Sequence, residues 1–123
     1  MPTSKRPIAV SAVGILFVLA GLVGLTYHAM ELGRPGPRDA DLPLVLFVRV
    51  LALVAGVFLF RGASWARWLT MAWMAYHAIL SAFDGSVSGV VVHTLMLAAI
   101  SHLLLRPDSA AFFRGGLPRM GNP

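Results

Sequence analysis

Among the 123 residues there is no cysteine, which removes disulfides, thiolate metal sites, thiol redox chemistry and c-type haem attachment from the functions open to the chain. Charge is scarce as well: 12% of residues are Asp, Glu, Lys or Arg, against 58% that are hydrophobic. So little polar surface cannot cover a water-soluble globule of this size, and the composition implies an integral membrane protein of one domain. A glycine-rich phosphate loop, a nucleophile elbow and a His-Glu-x-x-His pair are all missing, so no familiar catalytic motif points to an enzyme. Basic residues outnumber acidic ones by ten to five. They gather at the ends of apolar runs rather than along one soluble face, which argues against a nucleic-acid partner and for topology signals.

What the chain does have is four apolar runs, over residues 8–30, 42–60, 65–83 and 87–105. Each is close to the roughly 20 residues that carry a helix across the hydrocarbon layer. With no water in that layer, each must close its backbone hydrogen bonds within itself, so all four are expected as helices. Gly33, Pro35, Gly36, Pro37 and Pro43 break the chain between the first two runs, since proline removes a donor and glycine tolerates turn backbone. The two later links, 62–64 and 84–88, are short, which makes sequential helices antiparallel neighbours. The expected fold is an all-α, up-down-up-down four-helix membrane bundle over residues 1–106, followed by a flexible cytoplasmic tail over 107–123 in which Phe112 and Phe113 dip into the interface.

Lys5, Arg6, Arg61, Arg67, Arg106, Arg114 and Arg119 all fall at one end of this bundle, whereas Arg34 and Arg38 at the other are balanced by Glu31, Asp39, Asp41 and Asp84. The positive-inside bias puts both termini in the cytoplasm, with Trp65 and Trp68 in the inner aromatic belt. The first run is too long for the apolar core of a signal peptide and reads as a retained helix. The Ala, Gly, Arg and Leu bias suggests a GC-rich genome and, with it, a bacterial inner membrane.

Tyr27-His28-Ala29 in the first run matches Tyr76-His77-Ala78 in the third, and Arg61 to Ser64 repeats the spacing of Arg106 to Ser109. These matches fit a tandem duplication of a helical hairpin about an axis along the membrane normal. The competing account is a shared tripeptide in a biased composition, with arginines that match because both mark an inner interface.

One ionisable side chain lies in each run toward the outer end: His28, Arg49, His77 and His93. Such groups are costly in hydrocarbon and usually face a bundle interior or a cavity. Helical spacing aligns His28 with Gly14, Gly21, Gly24 and Glu31; it aligns Arg49 with Ala52 and Gly56; and it aligns His77 with Thr70, Trp73, Ser81 and Asp84. Small residues let membrane helices approach closely, so these faces should look inward. His93 shares a face with Gly89, Met96 and Ile100, whereas His102 points the other way, near the inner headgroups.

Several readings of this ring compete. In the first, the histidines are neutral partners that fix helix register and Arg49 pairs with Glu31 or Asp84 or reaches the headgroups. The protein is then a non-enzymatic accessory or scaffold subunit whose partners are the lipid bilayer and other membrane proteins or further copies of itself. In the second, haem b lies between the first and third helices with His28 and His77 as axial ligands and Arg49 on a propionate. In the third, a transition metal is held by His28, Glu31, His77 and His93, with Asp84 in reserve. A fourth is proton or anion passage through Arg49 and the histidines.

Overall fold

A computed structural model describes residues 6–37 and 40–115. Lys5, Arg38, Asp39, Arg119 and the tail from residue 116 onward, all used above for topology, lie outside the described residues.

Four long helices follow one another: α1 (Ile8–Ala29), α2 (Leu42–Phe60), α3 (Ser64–Phe83) and α4 (Val87–Leu105). A 3₁₀ turn, Met30–Gly33, extends α1, and a short fifth helix, α5 (Pro107–Gly115), follows α4. The long helices begin and end within a residue of the expected bounds. Three of them are long and apolar enough to cross a membrane: α1 with its 3₁₀ extension, α2 and α4. The fourth expected span, α3, is not among them. It has the length, but Arg67, its three tryptophans, Thr70, His77 and Ser81 lower its apolarity below that of the other three.

Both short links are built alike. The Gly62 amide donates to the Leu59 carbonyl and the Ala63 amide to Phe58; the Gly85 amide donates to Ala82 and the Ser86 amide to Ser81. These are Schellman closures, which place the residue after the cap in left-handed backbone, and Gly62 and Gly85 have φ of 75° and 72°. The Ser86 hydroxyl then accepts from the Gly89 amide and caps α4.

Packing is closest within each hairpin, α1 on α2 and α3 on α4, and α2 meets α3 between them. The glycine stripe of α1 faces α2 as expected. A Cβ added to Gly21 would lie 2.7 Å from the Leu53 amide nitrogen, and one added to Gly56 would lie 2.8 Å from that of Val18. Up α1, Gly14, Val18, Gly21 and Gly24 meet Phe60, Gly56, Leu53 and Arg49 down α2, a continuous antiparallel register set by missing side chains. Arg6 closes the Phe60 end, donating from Nη1 to the Phe60 carbonyl at 3.2 Å, where a cation also meets the negative end of the helix dipole.

The core joins Val10, Val13 and Phe17 of α1, Ala52, Ala55 and Leu59 of α2, Ala66 and Met74 of α3, and Ile100 and Leu104 of α4. Much apolar surface faces outward on the three apolar helices, including Val23 (66% exposed), Phe47 (59%) and Leu95 (65%). On α4 only Ile100 and Leu104 are buried.

The first part of the stretch expected as a flexible tail is helical, over Pro107–Gly115. Pro107 sits at the first helical position, where its missing N–H costs nothing, and Asp108 occupies the first turn, where the dipole favours an anion. The Ser109 hydroxyl donates to the Leu103 carbonyl at 2.7 Å, which turns α5 back on the bundle. Phe113 is 1% exposed and lies under the Arg67 guanidinium; it enters the core rather than the interface.

Candidate functional site

The polar residues of α3 mostly point into the bundle. Thr70 is fully buried and its hydroxyl donates to the Ala66 carbonyl one turn back. One turn further along, the Trp73 indole N–H donates to the Val48 carbonyl of α2 at 2.9 Å. The Trp73 ring also meets Phe17 of α1 edge-on at 5.2 Å and carries His77 stacked on it at 3.8 Å. Trp73 thus touches α1 and α2 and positions the histidine on its own helix.

His77 and His93 form a pair, with ring centroids 5.8 Å apart. Each has Nδ1 tied to its own helix: His77 donates to the Trp73 carbonyl at 2.9 Å and His93 to the Gly89 carbonyl at 2.7 Å. The Ser81 hydroxyl oxygen lies 3.2 Å from His93 Nδ1 and joins α3 to α4. With the proton on Nδ1, Nε2 of each ring carries the lone pair, the arrangement that a ligating histidine uses.

His28 stands with a different partner. Its Nδ1 faces the Glu31 carboxylate at 3.3 Å, both side chains about one-quarter exposed. Tyr27 packs edge-on against His28 as Tyr76 does against His77. Among the described residues no hydrogen bond or ring contact joins His28 to His77 or His93, and no three His, Asp or Glu side chains gather closely enough to hold a metal ion. The ring inferred from the sequence is thus two pairs, His28 with Glu31 and His77 with His93. Asp84 is exposed at the end of α3, and His102 is exposed on α4.

Arg49 of α2 reaches both α1 and α3. Its side chain runs alongside Gly24, where a Cβ would come within 2.5 Å of Cδ, and its guanidinium sits 5.8 Å from the Trp73 ring centroid. The Nε atom is buried without a hydrogen-bond partner among the described residues. Neither Glu31 nor Asp84 pairs with Arg49; the ion pairs among the described residues are His28–Glu31 and Arg106–Asp108. Arg49 instead lines a cavity of about 220 Å³ between α2 and α3, with Asp41, Leu44, Val48, Tyr76 and His77.

Sequence reasoning placed Trp73 and Ser81 on the polar stripe without giving either a partner. The Trp73, His77, Ser81 spacing of four was the available signal.

No family model, curated protein or solved structure matches this chain. The fold and site define a class: an all-helical protein with three helices able to cross a membrane and a polar cluster on the faces that α2, α3 and α4 turn toward one another.

Proposed function

We propose that all four long helices cross the bilayer in an up-down-up-down bundle, with both termini in the cytoplasm of a bacterial cell. On this reading the chain is a non-enzymatic accessory or scaffold subunit of the inner membrane. The observation that carries it is the Trp73–Val48 hydrogen bond with the His77 stack above it: polar groups that would oppose insertion of α3 are met by neighbouring backbone and rings. Satisfied in this way, they cost far less in hydrocarbon and fix the rotation of α3 against α2. The glycines that would admit a partner helix on α1 and α2 are occupied within the hairpin, so the face left for a partner is that of α4. The matched Tyr–His contacts support a duplicated hairpin.

A second reading, haem or transition-metal handling, draws on the His77–His93 pair, in which each ring commits Nδ1 to its own helix and leaves Nε2 as the atom a metal would take. One purification separates the two. In mild detergent, a scaffold is colourless and emerges bound to another protein. A cofactor protein shows a Soret band or stoichiometric metal, lost in a His28→Ala, His77→Ala variant if haem is ligated by that pair and in a His77→Ala, His93→Ala variant if the closer pair binds metal.

A further inference from the structure

The Arg49 cavity does not end at its charged residues. Leu44, Val48 and Tyr76 also line an apolar furrow of about 270 Å³ that continues along Phe47, Leu51 and Ala72. From Tyr76 to Leu69 it covers about 10 Å along α3, away from the head site, roughly two thirds of one leaflet's hydrocarbon. A cationic head site therefore opens into an apolar channel that runs toward the bilayer centre. The Arg49 Nε at the head end is buried and unpartnered, and leaving such a donor without an acceptor is costly.

We propose that the α2–α3 crevice holds one phospholipid of the outer leaflet, its phosphate on Arg49 and one acyl chain in the furrow beside Phe47 and Ala72. The proposal rests on α2 and α3 both crossing the membrane. Guanidinium meets phosphate with two parallel donors, stronger than neutral hydrogen bonds, and His77 Nδ1 is already committed to the Trp73 carbonyl, which leaves the phosphate to Arg49 and to the Tyr76 hydroxyl. Asp41 at the rim makes the head site locally mixed in charge, so selection is for the phosphate itself rather than for net negative charge.

The test counts lipids retained per chain by native mass spectrometry, from detergent micelles doped with phosphatidylglycerol or with diacylglycerol of the same acyl chains. The expected result is one phosphatidylglycerol on the unaltered chain and about tenfold weaker retention of diacylglycerol. Arg49→Leu should lose phosphatidylglycerol by a similar factor and Arg49→Lys by less. Ala72→Trp, which fills the furrow without touching the charge, should also expel the lipid while circular dichroism stays unchanged. Equal retention of the two lipids would overturn the proposal, as would retention unaltered by Arg49→Leu or Ala72→Trp. Inorganic phosphate that displaces the lipid from the unaltered chain would also overturn it, since the furrow would then contribute nothing. Whether α3 crosses the membrane is read separately, by cysteine labelling at Ser88, so the two failures are distinct.

Discussion

Trp73 of α3 donates its indole N–H to the carbonyl of Val48 on α2, two helices whose sequences carry no other side-chain hydrogen bond to one another among the described residues. The bond fixes both the rotation and the height of α3, because the same ring is wedged against Phe17 and stacked under His77. Trp73→Phe keeps most of the ring area and removes the donor, while the Val48 carbonyl retains its place in the α2 ladder. The expected loss is about 1 kcal/mol of stability in detergent, seen as a lowered thermal midpoint. Trp73→Ala also removes the stack and the Phe17 contact, and should cost about 3 kcal/mol or more.

The α1–α2 hairpin depends on the absence of two side chains. Gly21→Ala or Gly56→Ala would set a methyl group less than 3 Å from the facing backbone, so the helices must separate. The expected cost is about 2 kcal/mol, in spite of alanine's better helix propensity. Gly33 has open space around its Cβ position, and Gly33→Ala should leave the midpoint within about 0.5 kcal/mol of the parent. Thermal unfolding of the three variants side by side checks the contrast.

Ser81 and His93 join α3 to α4. A double-mutant cycle of Ser81→Ala with His93→Phe should give a coupling of about 0.5 kcal/mol, in the range of other hydrogen bonds between membrane helices. Strict additivity would show that the two side chains act through their own helices alone.

The helix bounds were legible because Gly, Pro and charged residues punctuate each apolar run. α5 was not, since the Gly, Pro and Arg content from residue 107 onward reads as an irregular tail, although Pro107 and Asp108 are helix-start residues in that position. The inward faces of α1, α2 and α3 followed from helical spacing, which depends only on one helix at a time. Which polar residues meet is different, because that depends on the height and rotation of one helix against the next. His28 accordingly went into a common ring in the sequence reading, while the structure gives it Glu31 one turn away. Arg49 shows the same limit: spacing put it on an inward face, but only the packing of Gly24 and Trp73 around it shows a buried Nε with no hydrogen-bond partner among the described residues.

The most direct test of the account is whether α3 crosses the membrane. The chain has no cysteine, so single substitutions at exposed link positions, Arg34→Cys, Arg61→Cys and Ser88→Cys, give unambiguous labels in intact cells. The four-span reading predicts that a membrane-impermeant maleimide reaches positions 34 and 88 from outside and position 61 only after the membrane is opened. Labelling of position 88 solely after opening, together with position 61, would place both ends of α3 on one side and contradict the account.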